Sequence, residues 1–189
     1  MKINILIRTS NRKALFERCI QSIQKQTYKN IQVIVSTDRP VNYLPSWVKS
    51  IQVIPDYRHS FYWNLYCNAL KESVTDGWFF FLDDDDFIES NTAIEEAVKH
   101  LSGEGVVFQF KRGDLKKPSD DYIHAGIIER GRIGMPCIFL HHSKKSVANF
   151  DGKQAADFRF IKAVSEKISL KFIPHVIVKA DRIGHGVCR

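Results

Sequence analysis

GWFFFLDDDDF, residues 77–87, joins five bulky apolar residues directly to four consecutive carboxylates, Asp83 to Asp86. An apolar run this short is more typical of a buried strand in an α/β sheet than of a helix. The carboxylates would then lie at the carboxyl end of the strand, where open α/β sheets bind their ligands. The stretch therefore predicts a strand that carries acidic side chains into a ligand site.

Four neighbouring carboxylates raise one another's pKa unless a cation lies among them. A divalent metal ion such as Mn²⁺ or Mg²⁺ would relieve this repulsion, because hard cations bind carboxylate oxygens. A solvated acidic turn is the alternative for an arbitrary run of aspartates. The run alone leaves both interpretations open.

The composition of the chain is that of an ordinary globular protein. Its 189 residues predict one domain with a sizeable core, and 44% hydrophobic with 26% charged residues exclude disordered and fibrous classes. The apolar runs are too short for a membrane span and the N-terminus lacks a signal peptide, so a cytoplasmic protein is expected. The cysteines lack disulfide or zinc-ligand spacing and are expected to be reduced thiols: Cys19, Cys67, Cys137 and Cys188.

A formal net charge of +7 favours anionic partners, which include nucleotide sugars, nucleic acids and anionic membrane surfaces. The basic residues are dispersed, and neither a helix-turn-helix pattern nor an RNA-binding aromatic signature accompanies them. We therefore expect no specific nucleic-acid partner.

Strands and helices alternate along the chain. Residues 2–7 predict a strand, residues 12–25 an amphipathic helix and residues 31–35 a second strand, which together form a right-handed parallel β-α-β unit. Asp38 follows the second strand and would also lie at a carboxyl end. Further strands are predicted at residues 51–54, 106–110, 122–128, 137–140, 168–173 and 176–179, and further helices at 60–73, around 94–101 and at 154–167.

The glycine-rich phosphate loops of common nucleotide-binding folds are absent from the sequence, because neither G-x-G-x-x-G nor a Walker A motif occurs. Phosphates would have to be held by a metal ion and basic side chains instead. A divalent cation can bridge two phosphate oxygens and neutralise the charge that builds on a leaving diphosphate.

Four motifs resemble the family 2 glycosyltransferases. Residues 7–19 (IRTSNRKALFERC) and 26–35 (QTYKNIQVIV) are similar to that family's opening, I-P-T-Y-N-R, N-Q-T-Y and I-I-V-V-D-D. FLDDDDF resembles F-L-D-A-D-D, the D-x-D metal motif of the GT-A fold. NFDG at 149–152 with ADFRF at 156–160 resembles the F-D region and the E-D motif of the catalytic base, and residues 182–185 resemble a late R-x-H region. The matches come in family order and cover nearly the whole chain.

The resemblance implies a GT-A, Rossmann-like α/β fold with a mixed, mostly parallel central sheet flanked by helices. Residues 1–189 would form a single catalytic domain. Within it, residues 1–102 would bind the nucleotide sugar, and residues 103–189 would bind the acceptor and supply the catalytic residue.

Site roles follow from the same resemblance. Thr9 and Asp38 would contact the nucleobase and ribose, Asp83 the ribose or a bridging water, and Asp157 would be the general base. Asp85 would be the main metal ligand, with Asp83 and His185 as further ligands. The nucleotide-sugar site would comprise Thr9, Asn11, Arg12, Asp38, Asn68, Asp83, Asp84 and Arg182.

Two of these residues carry a further expectation. Asn68 lies on an otherwise apolar helix face, so its amide could instead cap a buried backbone group. Strand alternation, if it persists, puts Asp83 and Asp85 on one side, with Asp84 as the variable middle residue of D-x-D and Asp86 on the other side.

The function implied is metal-dependent transfer of a sugar, with glucose or another hexose as first choice, from a UDP-sugar to a glycan or glycoconjugate hydroxyl. An aspartate base suits an inverting displacement. The sequence departs from the family pattern at Arg8 and Ser10, which replace Pro and Tyr, at Cys67, which stands where an Arg often precedes Asn68, and at Ala156, which replaces the Glu of E-D.

Two alternatives remain open. Ala156 is compatible with a catalytically inactive module that binds sugar nucleotides or glycans. A nucleotidyltransferase shares the sheet, but such enzymes usually carry a glycine-rich basic loop after the first strand, which residues 9–13 do not form. Many relatives have long acceptor and membrane regions without a counterpart here, so the chain is either a minimal enzyme or part of a longer polypeptide.

Overall fold

The computed structural model of this protein describes residues 1–180. Within them the strands are β1 (Ile3–Thr9), β2 (Ile31–Thr37), β3 (Lys49–Gln52), β4 (Trp78–Asp83), β5 (Phe87–Ile88), β6 (Gly105–Arg112), β7 (Leu115–Lys117), β8 (Ile138–His141) and β9 (Leu170–Ala180). The α-helices are α1 (Lys13–Gln24), α2 (Tyr66–Glu72), α3 (Ala93–His100), α4 (Asp120–Ala125) and α5 (Ala156–Ser165). Short 3₁₀-helices cover Tyr62–Leu65, Met135–Cys137 and His142–Lys144.

The strands form one mixed sheet in the order β3-β2-β1-β4-β8-β6-β9-β5, and β7 pairs with β6. The first four of these strands are parallel. β8 runs antiparallel between β4 and β6, and β6 pairs parallel with β9. This sheet confirms the predicted mixed α/β fold.

β4 is the predicted apolar strand, and it lies between β1 and β8. Its phenylalanines Phe79, Phe80 and Phe81 are at most 1% exposed, because side chains on both faces of the sheet are covered. Phe80 stacks on Phe139 with ring centroids 4.2 Å apart. Burying each such side chain contributes about 2–3 kcal/mol, which fixes the strand and its acidic end.

Helices lie close to those predicted at residues 12–25, 94–101 and 154–167, and the helix predicted at 60–73 is a 3₁₀-helix at Tyr62–Leu65 followed by α2. The buried face of α1 consists of Phe16, Cys19, Ile20 and Ile23. Cys19, Cys67 and Cys137 are buried free thiols, as expected, whereas Cys188 lies outside the described residues. Among residues 1–180, no helix has the length and apolar character needed to cross a bilayer.

The later part of the chain differs from the sequence prediction. The strand predicted at 122–128 is wrong, because residues 120–125 form α4, which has Asp120 and Asp121 in its first turn and ends at Gly126 with a φ of 65°. The two strands predicted around Pro174 are one strand, β9, whose register against β6 shifts between Phe172 and Val176. This irregularity accommodates a proline that has no N–H to donate.

The residue before β4 is Gly77, whose backbone combines a left-handed conformation with close contact to the backbone of Lys2. Gly77 has a φ of 76°, and a Cβ there would overlap the carbonyl oxygen of Lys2. Gly103 has a similar φ of 73°, but no atom of the described residues would lie within 4 Å of a Cβ at that position. A substitution at Gly103 would therefore introduce backbone strain alone, whereas the same substitution at Gly77 would add steric overlap.

We expect Gly103→Ala to lower the free energy of unfolding by about 1 kcal/mol, the cost of a left-handed non-glycine residue. Gly77→Ala should cost clearly more, because β1 or the turn before β4 must also shift. Denaturant unfolding of both variants measures this difference. Equal losses would contradict the close approach of Gly77 to Lys2.

Candidate active site

The acidic run changes direction immediately after β4. The strand ends at Asp83, residues 84–85 form a turn, and the Asp86 N–H donates to the Asp83 carbonyl at 3.0 Å. The expected grouping of Asp83 with Asp85, apart from Asp84, is present, but the expectation for Asp86 is wrong, since extended geometry ends one residue into the run. Asp86 joins Asp83 and Asp85, and Asp84 alone points elsewhere.

Asp83, Asp85 and Asp86 form an acidic cluster in which one carboxylate oxygen from each lies within 4.8 Å of the others. A hard cation holds its oxygen ligands about 2.0–2.6 Å away, so ligand oxygens around one ion are separated by at most about 5 Å. Asp85 and Asp86 are each 6% exposed. Burial raises the pKa of Asp85, and repulsion from Asp83 raises it further. The spacing and charge of this cluster fit a divalent cation.

Asp84 lies beneath the cluster, not in the cavity. Its carboxylate is fully buried, accepts the Thr9 hydroxyl at 2.6 Å and forms an ion pair with the Arg12 guanidinium. Burial raises the pKa of Asp84 to about 6, although Arg12 opposes the shift. The structure therefore corrects the assignment of Asp84 to nucleotide binding, because Thr9 and Arg12 occupy its oxygens.

Two adjoining cavities flank the acidic cluster. The smaller, of about 250 Å³, is lined by Thr9, Ser10, Arg12, Asp38, Tyr62, Tyr66 and Asp85. The larger, of about 450 Å³, contains Asp86 and Asp157 among its lining residues. Four residues line both: Arg8, Phe61, Trp63 and Asp83.

Arg8 stands where the two cavities meet. The parallel register of β1 and β4 places it beside Asp83, and its Nε donates to Asp83 Oδ1 at 3.0 Å. Its Nη1 donates to Asn64 Oδ1 at 2.8 Å. Burial by itself lowers the pKa of the Arg8 guanidinium, but the Asp83 carboxylate raises it, and the pKa is raised overall. Sequence reasoning treated Arg8 only as a departure from the family; the register of the two strands was the missing signal.

Asp38 lies at the end of β2, as predicted, and faces the smaller cavity. It accepts from the Ser10 hydroxyl at 3.2 Å and from Tyr66 OH at 3.4 Å. Asn11 is exposed, has a φ of 51° and is not among the residues lining either cavity. Its conformation turns the chain from β1 towards α1, since Asn tolerates left-handed φ.

Asp157 lies in the first turn of α5 and lines the larger cavity. One of its oxygens, Oδ1, accepts the Phe158 N–H at 2.8 Å. Burial raises the pKa of Asp157; that N–H lowers it, and the nearby Asp83 raises it again. A half-buried carboxylate with a raised pKa is suited to take up a proton.

Asn68 does not line either cavity. Its Nδ2 donates to the Phe150 carbonyl at 2.9 Å, and its Oδ1 accepts the Phe150 N–H at 2.8 Å. Both ends of the amide are therefore used by one buried backbone unit, and we remove Asn68 from the candidate site. Arg182 and His185 lie outside the described residues.

Comparison with known proteins identifies the family. The profile of glycosyl transferase family 2 matches residues 4–146, so this chain belongs to that family. One relative is the GalNAc(5)-diNAcBac-PP-undecaprenol beta-1,3-glucosyltransferase of Campylobacter jejuni, which is 29% identical over 129 residues. The match covers 61% of this chain and 41% of the relative.

Solved structures share the fold. S. aureus TarS 1-349 matches with a TM-score of 0.71 and 14% identity, covering 96% of this chain and 60% of TarS 1-349. TarS 1-349 in complex with UDP-GlcNAc matches with a TM-score of 0.67 and 15% identity, covering 96% of this chain and 59% of that chain. The mannosyltransferase PcManGT of Pyrobaculum calidifontis, in complex with GDP-Man and Mn²⁺, matches with a TM-score of 0.69 and 15% identity. This match covers 98% of this chain and 58% of PcManGT. The chain thus spans about 60% or less of the length of these proteins.

The structural role of Asn68 can be separated from a ligand role. Asn68→Ala leaves the Phe150 N–H and carbonyl without their partner, which should lower the free energy of unfolding by about 1–3 kcal/mol. Urea unfolding measures that loss. UDP affinity of the folded variant should be unchanged, and a large drop in affinity without loss of stability would contradict the assignment.

Proposed function

We propose that this chain transfers a sugar from a UDP-sugar, with glucose or another hexose as first choice, to a hydroxyl of a glycan or glycoconjugate. The observation that carries the proposal is the acidic cluster at the junction of two cavities, one beside Asp38 and the other beside Asp157. The names of the similar proteins, a glucosyltransferase and structures with UDP, UDP-GlcNAc or GDP-Man, support a nucleotide-sugar donor.

The smaller cavity would hold the nucleoside. Thr9 and Asp38 have the positions that the family resemblance assigns to nucleobase and ribose contacts, and Tyr66 adds an aromatic wall. The Thr9 hydroxyl donates to Asp84, and its oxygen lies 3.2 Å from Tyr43 OH, so it could offer the nucleotide only its remaining acceptor position. Arg12, which also lines this cavity, would contact the donor while its guanidinium stays anchored on Asp84.

Asp85 would be the main protein ligand to Mn²⁺ or Mg²⁺, with Asp83 as a further ligand or a ribose contact. The geometry adds Asp86 to this set, and His185 remains a proposed ligand from the family resemblance. A bound divalent ion supplies electrostatic stabilisation of the departing diphosphate. Arg8, which is fixed on Asp83 between the cavities, would add positive charge at the same place.

Asp157 would act as general base. It would remove the proton from the acceptor hydroxyl as that oxygen bonds to the anomeric carbon and the bond to the nucleoside diphosphate breaks. Attack from the face opposite the leaving group inverts the configuration. The position of Asp157 in the larger cavity supports this role, because Phe158 occupies only Oδ1 and Oδ2 accepts no hydrogen bond from the described residues.

The division of labour follows the two halves of the chain. Residues 1–102 would bind the nucleotide sugar and residues 103–189 the acceptor, within one catalytic domain in the cytoplasm. A catalytically inactive sugar-nucleotide or glycan-binding module is the second candidate, because Ala156 is buried where the family pattern has the Glu of E-D. Measured transfer or donor hydrolysis distinguishes the two.

Metal dependence gives a direct test. With Mn²⁺ and UDP at about 100 times the dissociation constant, the melting temperature should rise by roughly 5 °C or more, since ligand linkage then adds about 2.7 kcal/mol. Asp85→Ala should abolish this rise. The matched control is Asp76→Ala, which removes an exposed carboxylate paired with Lys2 outside the site.

The metal proposal predicts little UDP stabilisation when Mn²⁺ is replaced by EDTA. Equal stabilisation by UDP with and without the metal would contradict it. So would an Asp85→Ala variant that responds to UDP and Mn²⁺ as the wild-type chain does.

The base proposal is tested by pH. Because Asp157 must be ionised to accept a proton, the rate should fall as pH drops through its pKa. That pKa is raised, so the acid limb should lie above the ordinary aspartate value of about 3.9. Asp157→Asn should lower kcat by about 10²–10⁴-fold with UDP affinity retained.

Asp121→Asn, which changes an exposed carboxylate on α4, is the matched control and should leave the pH profile unchanged. Initial rates of transfer from UDP-glucose, or of its slow hydrolysis, provide the measurement. An active Asp157→Asn enzyme that keeps the acid limb would exclude Asp157 as the base.

A further inference from the structure

The larger cavity has a basic wall formed by Arg112, Lys117 and Arg130, in addition to Arg8. Arg112 and Lys117 come from the β6-β7 hairpin, where Lys117 pairs with Phe110, another lining residue. Arg130 comes from the loop after α4. The Lys117 ammonium donates to the Gly131 carbonyl at 2.8 Å, which joins that loop to the hairpin.

No carboxylate of residues 1–180 forms an ion pair with a cation of the basic wall. Two lysines next to the basic wall in sequence are paired, Lys111 with Glu89 and Lys116 with Asp120. The ion pairs of residues 1–180 do not include Arg112, Lys117 or Arg130. The guanidinium-bearing residues Arg112 and Arg130 are exposed. Unlike Arg8, which is held by Asp83, they form no ion pair with a carboxylate among these residues.

The carboxylates of the same cavity come from different elements. Asp83 ends β4, Asp86 follows it and Asp157 lies in the first turn of α5, whereas the three cations come from β6, β7 and the loop at Arg130. None of the three cations lines the smaller cavity. A molecule in the larger cavity would therefore meet Asp157 on one element and unpaired positive charge on others.

We propose that the acceptor carries an anionic group, a phosphate or a carboxylate, which binds to Arg112, Lys117 and Arg130 while an acceptor hydroxyl faces Asp157. This inference rests on the proposed transferase function and specifies its acceptor class. Guanidinium groups bind phosphate and carboxylate through paired hydrogen bonds, so two unpaired arginines beside a lysine form a site selective for such anions.

The donor diphosphate is the other possible source of this anionic chemistry. A cation held by the acidic cluster would provide positive charge for the diphosphate where the two cavities meet, together with Arg8, and Arg12 lines the smaller cavity. The basic wall belongs to the larger cavity alone, on the side of Asp157. This placement favours the acceptor over the donor.

The test compares binding of glucose 6-phosphate, glucuronate and neutral glucose by calorimetry. Each sugar is titrated into the chain alone without metal, and again into the chain saturated with UDP and Mn²⁺. At least one anionic sugar should bind about tenfold or more tighter than glucose in both states, the size of one charge-assisted hydrogen bond. Arg112→Gln/Arg130→Gln should remove the difference.

The matched control is Lys25→Gln/Lys171→Gln, which removes two exposed positive charges that line neither of these cavities and should preserve the preference. Equal binding of all three sugars, or a preference that the control variant loses as well, overturns the proposal. A fall in UDP and Mn²⁺ affinity in Arg112→Gln/Arg130→Gln also overturns it, because the basic wall would then serve the donor.

The outcomes separate this inference from the proposed function. Failure of the wild-type chain to bind UDP with Mn²⁺ would overturn the donor proposal, whereas the anion preference is measured without nucleotide as well. Normal UDP binding without any preference for an anionic sugar would overturn only the inference about the acceptor.

Discussion

Repulsion among four consecutive carboxylates governs how this part of the chain is built. Asp83 ends a strand buried on both faces and Asp84 to Asp86 follow it, so water screens their charges poorly. Two arginines compensate in part: Arg8 pairs with Asp83, and Arg12 pairs with Asp84 and Asp85. The acidic cluster still brings one oxygen each of Asp83, Asp85 and Asp86 within 4.8 Å of one another, and burial together with repulsion from Asp83 raises the pKa of Asp85. A divalent cation in the cluster would relieve this repulsion.

The fold places this charge where it can act. Parallel register between β1 and β4 brings Arg8 beside Asp83, and the turn after β4 directs Asp86 into the cluster while Asp84 turns inward. Arg8 also donates to the Trp63 carbonyl at 3.4 Å, so the wall shared by the two cavities is connected to the strand ends. The nucleotide side and the acceptor side of the proposed site therefore share one half-buried ion pair, Arg8 with Asp83.

The spacing of apolar residues along the sequence was sufficient to predict most of the strands and helices. That spacing reflects which face of an element is buried, and burial stabilises these elements. It identified β4, α1 and the parallel β-α-β start, and family motifs located Asp38 and Asp157 near one site. Side-chain direction was less predictable. The turn at Asp84 required knowing where β4 ends, and the bond between Asn68 and Phe150 joins residues 82 positions apart. Helix α4 was missed because weak local signals around Gly126 also suited a strand.

The proposal that the acidic cluster holds a divalent cation against the donor diphosphate is tested most directly by anomalous diffraction from crystals grown with UDP and Mn²⁺. We expect one manganese peak at about 2.0–2.6 Å from an Asp85 oxygen and from diphosphate oxygens. Ordered UDP in the smaller cavity, with no manganese peak and with Arg8 or Arg12 alone contacting the diphosphate, would contradict it.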